Sequence, residues 1–313
     1  KDRRKQDSME KVLRNFFLYL ANHQRLNQLA KKHGLRFGGR RFVAGETLAE
    51  GIDVIKALNR QGMMATLDHL GEFVDSEEEA NAMAEHCIEA IESIAKEKVD
   101  ANLSLKLTSM GLDIAYDLCL HNMERILEVA RKHRLFVRID MEDYAHLEST
   151  FAIFHDLRER YDNFGLVIQA YLYRSVDDVK ALAEWKTNLR LVKGAYKESP
   201  EVAFPDKKDV DENYKKIIQL QLESGNYAAV ATHDENMIAF TKRLVKDRDI
   251  PLDRFEFQML YGIRPELQKQ LVREGYRVRI YVPYGNDWFG YNMRRLAERP
   301  ANVAFVLKGI VKR

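Results

Sequence analysis

From residue 63 onward the chain repeats one device eight times: a short apolar run that suits a strand, then a longer segment with apolar residues at helical spacing. Strands are expected at 63–67, 101–107, 135–140, 165–169, 189–193, 227–232, 254–258 and 277–282. Helices are expected at 76–97, 116–133, 146–161, 176–186, 209–224, 234–247, 265–274 and 288–299. The helix after Asp75-Ser76 opens with three glutamates, and acids suit the positive end of a helix dipole. Strands joined through helices run parallel, and eight units of similar length predict closure into a (β/α)8 barrel of the TIM type. An open doubly wound sheet is the structural alternative.

A helical arm precedes this alternation. Met9, Val12, Leu13, Phe16, Phe17 and Leu20 recur at helical spacing within 8–33, and the glycine-containing stretch 34–45 breaks the pattern. A further helix at 47–60 ends at Gln61-Gly62. The organisation expected is an arm over 1–62 and a barrel over 63–313.

The charge balance, 50 basic against 48 acidic side chains, argues against nucleic-acid binding as the main role. The clusters Arg3-Arg4-Lys5 and Lys312-Arg313 are short and read as solvated ends, leaving at most peripheral contact with an anionic membrane. No run of about 18 apolar residues suggests a membrane span. Cys87 and Cys119 have no metal-ligand spacing and read as buried thiols in a reducing compartment. A cytoplasmic protein is the expectation, with peripheral attachment to the inner face of a membrane as its variant.

Side chains alternate faces along a strand. Asn102, Ser104 and Lys106 share one face, as do Arg138 and Asp140, Glu256 and Gln258, and Arg279 and Tyr281; Gln169 and Arg190 stand on the polar faces of their strands. In a barrel the opposite, apolar faces meet the helices, so the polar faces look inward and gather toward strand ends. Burying so many polar groups is costly unless they pair with each other or with a ligand. Parallel α/β enzymes place their chemistry at the carboxyl ends of strands.

Several constellations leave the reaction open. Leu189–Tyr196 ends a strand in Lys193, Gly194, Ala195 and Tyr196, which suits an anion approaching bare backbone. Tyr291, Arg294, Arg295 and Glu298 recur at helical spacing; the arginine pair suits a carboxylate or phosphate, or simply an intrahelical Arg–Glu pair. Lys106 or Lys193 could serve an aldolase as a Schiff-base lysine. Asp140-Met141-Glu142-Asp143 could hold a divalent cation, although such acids more often pair with neighbouring bases, and His233 has no second histidine at a supporting spacing; no metal is expected. No dinucleotide fingerprint or P-loop is present.

Eight ordered stretches resemble the proline dehydrogenase family, in its monofunctional bacterial form. They are Leu67-Asp68-His69-Leu70-Gly71-Glu72, Ser104–Thr108, Arg138–Glu142, Arg190–Tyr196, Ala231-Thr232-His233, Phe255–Leu260, Arg279–Gly285 and Tyr291–Glu298. The resemblance implies a distorted (β/α)8 barrel that holds FAD noncovalently and oxidises L-proline to Δ1-pyrroline-5-carboxylate, with a quinone as electron acceptor and pyrroline-5-carboxylate dehydrogenase as a possible partner. It implies that Arg294, Arg295 and Lys106 clamp the proline carboxylate, that Tyr281, Tyr291 and Leu260 wall the ring, and that Glu72 pairs with Arg294. It further places Asp140 near Lys106 and the flavin, Arg190 and Gln169 at the flavin ring, and Lys193, Gly194, Ala195, Tyr196, Thr232, His233, Gln258 and Glu298 along the rest of FAD. Val210 departs from the threonine that some members carry near the adenosine end. A class I aldolase and a barrel retained only for binding are the competing readings.

Overall fold

The computed structural model describes residues 41–71 and 74–298. The arm expected at 8–33 lies outside the described residues, as does Glu72. Eight strands form: β1 (Met64–His69), β2 (Ala101–Leu105), β3 (Val137–Ile139), β4 (Phe164–Gln169), β5 (Leu189–Val192), β6 (Ala228–Ala231), β7 (Phe255–Leu260) and β8 (Val278–Tyr284). Each pairs in parallel with the next, and β8 returns to β1, so the barrel is closed. The doubly wound alternative is thereby excluded.

Among the described residues the α-helices are α1 (Leu48–Asn59), α2 (Glu77–Glu97), α3 (Tyr116–Lys132), α4 (Leu147–Arg158), α5 (Ser175–Glu184), α6 (Lys207–Glu223), α7 (Glu235–Asp247), α8 (Pro265–Arg273) and α9 (Trp288–Glu298). Local chemistry sets their starts. Thr47 and Glu50 form a reciprocal capping box on α1. Ser76 caps α2 by accepting from the Glu79 amide, Asp234 caps α7 through the Asn236 amide, and Pro265 sits in the first turn of α8. None of these helices is long and apolar enough to cross a membrane.

Strand alternation divides the interior as expected. Leu67, Leu103, Ile139, Ile168, Leu191, Phe257 and Ile280 are buried in the core between barrel and helices. Ile52, Ile55 and Leu58 of α1 belong to the same core. Gly51 lets α1 approach closely, since a Cβ there would meet Leu67 Cδ1 at 3.2 Å. The Ala44 amide donates to Pro283 O at 2.8 Å, and the Gly285 amide to Gly45 O at 3.0 Å. A helix that precedes the first strand therefore covers the β1–β8 seam.

Four strands, β2, β3, β5 and β6, stop one or two residues short of their expected ends, and in two of them this matters for the mouth. β2 ends at Leu105 and β3 at Ile139, so Lys106 and Asp140 stand just past the ladder. The Asp140 amide still donates to Leu105 O at 2.8 Å. Side chains one step beyond a strand are held by the sheet but face the open mouth.

Candidate active site

Asp140 is the hub of that mouth. It accepts from Ser104 Oγ at 2.7 Å, Arg190 Nη1 at 2.5 Å and the Tyr281 hydroxyl at 2.9 Å. The Arg190 guanidinium carbon also lies 5.3 Å from the Tyr281 ring centroid. Arg190 Nε donates to Gln258 Oε1 at 2.6 Å. Residues from β2, β5, β7 and β8, and from the end of β3, thus converge on one point at the carboxyl end of the barrel. Burial pushes the Asp140 carboxyl up, but Arg190, Lys106 and the bonds from Ser104 and Tyr281 outweigh it and hold the group below the usual carboxylate range. Asp140 is therefore an anion at neutral pH and fixes one edge of Arg190.

Two polar atoms in this layer are buried and make no hydrogen bond among the described residues: Arg190 Nη2 and Gln169 Oε1. Gln169 is oriented by its other end, Nε2 donating to Glu142 O at 3.0 Å. A donor and an acceptor are thus left for a ligand, since burying such groups unmet costs about 1–3 kcal/mol each.

Beside this layer, Tyr291 on α9 is buried and close enough to act electrostatically on Tyr281. The Arg295 guanidinium carbon lies 5.1 Å from the Tyr291 ring centroid. Leu260 is half-buried at the end of β7. Arg294 and Glu298 stand on α9, but their side chains, like Glu72, lie outside the described part. Of the three residues expected to clamp a carboxylate, Lys106 and Arg295 have described side chains, and the expected Glu72–Arg294 pair lies outside the described residues.

The predicted cofactor cradle occupies the β5 and β6 ends. Gly194 has φ 111°, and a Cβ there would overlap the Tyr171 ring at 2.3 Å. Ala195 and Tyr196 follow it to the surface. The Leu260 amide donates to His233 Nε2 at 2.9 Å, which makes Nε2 the unprotonated ring nitrogen. Thr232 is buried, its hydroxyl accepting from the Asp234 amide at 3.1 Å. Val210 is buried on α6.

Lys193 has partners that the sequence reading did not name. Its ammonium lies 2.5 Å from Asp211 Oδ1 and 2.7 Å from Asp234 Oδ2, and Lys207 also bonds Asp211. Burial alone pushes the Lys193 pKa down, but the two carboxylates outweigh it and raise it. A Schiff-base lysine needs the opposite shift, so the geometry disfavours Lys193 as an amine nucleophile. The only sequence signals were the acid after His233 and an acid in the second turn of a helix.

The acidic run after β3 disperses. Glu142 accepts from the Thr108 amide and hydroxyl at 3.1 and 2.7 Å, while Asp143 accepts from the His146 amide at 3.3 Å. Among the described residues no three His, Cys, Asp or Glu side chains are grouped to hold a metal ion.

Comparison with known proteins agrees in family. The model of the proline dehydrogenase family matches residues 52–308. Proline dehydrogenase 1 of Bacillus subtilis subsp. natto is 56% identical over 302 residues, which span 96% of this chain and 100% of that protein. Proline dehydrogenase of Deinococcus radiodurans is 43% identical over 309 residues, spanning 97% of this chain and 99% of that protein. A crystal structure of proline utilization A (PutA) from Bdellovibrio bacteriovorus, inactivated by N-propargylglycine, superposes with a TM-score of 0.78 at 29% identity. It covers 83% of this chain, which spans 32% of that longer one. With a closed parallel barrel and a family match over most of its length, the chain belongs to the proline dehydrogenase family.

Proposed function

We propose that the chain oxidises L-proline to Δ1-pyrroline-5-carboxylate using noncovalent FAD, and that a quinone takes the electrons. The observation that carries this reading is the open donor of Arg190 and the open acceptor of Gln169, both buried, on the neighbouring strands β5 and β4. Those groups fit a flat, polar-edged ring system that both donates and accepts hydrogen bonds. Gly194 is required by its positive φ and by the Tyr171 ring packed against it, and its bare backbone suits the proposed cofactor. FAD, when bound, supplies the acceptor for a hydride from the proline ring carbon next to nitrogen.

The chain's own residues bind and orient. Arg294, Arg295 and Lys106 hold the substrate carboxylate, so the ring enters in one direction. Tyr281, Tyr291 and Leu260 wall the ring and exclude water. Arg190 offers positive charge where negative charge develops, and Asp140 keeps that guanidinium in place. Glu72 pairs with Arg294 to close the site. Gln169, Lys193, Gly194, Ala195, Tyr196, Thr232, His233 and Glu298 hold the cofactor, and Gln258, whose amide is engaged by Glu256 and Arg190, serves it through Arg190. The substrate amine must be neutral before hydride leaves, so turnover rises with pH through the amine's titration. No nucleophile is required.

A relative in Klebsiella aerogenes, 27% identical over 318 residues, is named as a bifunctional protein; for this chain a pyrroline-5-carboxylate dehydrogenase is the partner proposed to consume the product. Purified protein is expected to be yellow and to bleach when proline is added without oxygen. Protein that neither carries nor takes up FAD overturns the reading.

A further inference from the structure

Below the mouth, the barrel holds a second buried acid that the reaction as described does not use. Glu256, on β7, is 2% exposed and faces the interior. Its Oε1 accepts from Gln258 Nε2 at 2.6 Å and from Arg279 Nε at 2.8 Å, and its Oε2 accepts from the Tyr227 hydroxyl at 2.8 Å. Gln258 in turn accepts from Arg190 Nε through Oε1 at 2.6 Å. A continuous chain of hydrogen bonds therefore runs from Arg279 through Glu256 and Gln258 to Arg190, and ends on Asp140.

The direction of this chain matters. An amide side chain can be turned end for end, exchanging its donor and its acceptor. An ionised carboxylate only accepts, so Glu256 compels Gln258 to present its NH2 downward and its oxygen upward. Only that orientation offers Arg190 Nε an acceptor. If the amide were reversed, two donors would face each other in the interior and Arg190 would turn away. With Nε and Nη1 both held, Nη2 is the one nitrogen of Arg190 aimed elsewhere.

We propose that Glu256 is a positioning residue for the oxidation: by fixing the amide of Gln258 it aims the open donor of Arg190 at the cofactor ring. This rests on the proline dehydrogenase reading given above. Arg279 and Tyr227 keep Glu256 ionised and oriented. The same contacts permit a plainer role, in which Glu256 merely neutralises Arg279.

The two roles separate in a pair of variants. Glu256→Met alone strands the buried Arg279 charge, so it is made together with Arg279→Met, which removes both charges at similar volume. The holoenzyme is then compared with Gln258→Met and with the triple variant. A positioning role predicts that kcat falls about tenfold in the E256M/R279M enzyme while KM for proline moves less than about twofold. It predicts that the midpoint potential of bound FAD falls, by about 30 mV for each tenfold loss in the reduction equilibrium. It also predicts that Q258M produces the same changes and that the triple variant adds nothing to them. Wild-type kcat and potential in E256M/R279M overturn the proposal, as do effects that simply add to those of Q258M. Should the paired variant fail to fold, Glu256→Gln carries the same cycle against Q258M, because its amide no longer dictates which end of Gln258 points upward. Wild-type protein that proline does not bleach instead removes the underlying reading, and that result is separate from any difference among variants.

Discussion

Among the described residues the barrel interior contains two buried Arg–carboxylate pairs, and they are built to different ends. At the floor, every nitrogen of Arg279 is engaged: Nε by Glu256, Nη1 by Ala65 O at 2.8 Å, and Nη2 by Met64 Sδ at 3.2 Å. At the mouth, Arg190 is held at Nε and Nη1 but keeps Nη2 buried and open. Charge and burial are alike, with side-chain exposures of 11% and 3% in the floor pair and 7% and 15% in the mouth pair. The difference is saturation. A saturated pair supports the fold, whereas the mouth pair keeps one donor of Arg190 for the ligand proposed above.

The largest test of this contrast is Arg279→Met. Removing one member of a buried pair costs about 3–5 kcal/mol, because Glu256 keeps its bonds from Gln258 and Tyr227 but loses its buried countercharge. Denaturant unfolding should show that loss, with cofactor-loaded activity per folded molecule much less affected than in any mouth variant. Retention of wild-type stability would remove the floor pair from the support of the fold. Arg190→Met should invert the pattern. Its kcat is expected to drop about 10²–10³-fold, as for loss of a donor at developing charge, while its unfolding midpoint drops less than that of R279M, because Lys106 still acts on Asp140 as a second cation. Equal losses of stability in the two variants would erase the distinction between floor and mouth.

A third test lies above the mouth. Arg295→Met should raise KM for proline about 10–100-fold with kcat little changed, since a charge-assisted contact to a carboxylate is worth about 1.5–3 kcal/mol. Steady-state kinetics across proline concentrations decide it. An unchanged KM would move the carboxylate away from α9.

How far the residues announce this arrangement depends on the distance over which the physics acts. Alternation along one strand is local, so Asn102, Ser104 and Lys106 could be assigned to the same face, and Glu256 and Gln258 to another, before any fold was known. Closure of the barrel then places Gln258 opposite Arg279 and Leu260 opposite Tyr281. What sequence could not supply was the pairing across strands that are not neighbours. Arg190 on β5 meets Asp140 after β3 and Gln258 on β7, and only the tilt and stagger of the closed barrel bring them together. Lys193 shows the same limit. Its glycine-flanked position at a strand end marked an anion site, but Asp211 comes from α6 and Asp234 from the end of β6. Helix limits shifted for a smaller reason: α6 begins at Lys207 rather than at 209, because Asp206 already has extended backbone before the first turn.

The finest test concerns protons, where the two carboxylates behave alike in sign. Burial raises both Asp140 and Glu256, and in each case arginine and hydrogen bonds outweigh it and leave the folded pKa below its ordinary value. A carboxyl depressed in the folded state contributes stability that is fully present above the unfolded pKa, about 3.9 for Asp, and is lost as pH falls through the folded pKa. Asp140→Asn cannot titrate. Its stability deficit relative to wild type should therefore be constant from neutrality down to about pH 5 and shrink below about pH 4. Urea unfolding at a series of pH values measures that difference directly. The floor pair reaches the cofactor only through Gln258 and Arg190, so saturating FAD should shift the acid limb that depends on Asp140 more than the limb that depends on Glu256. FAD acting equally on both would mean that floor and mouth are one electrostatic unit, and that the withheld donor of Arg190 is not what sets the mouth apart.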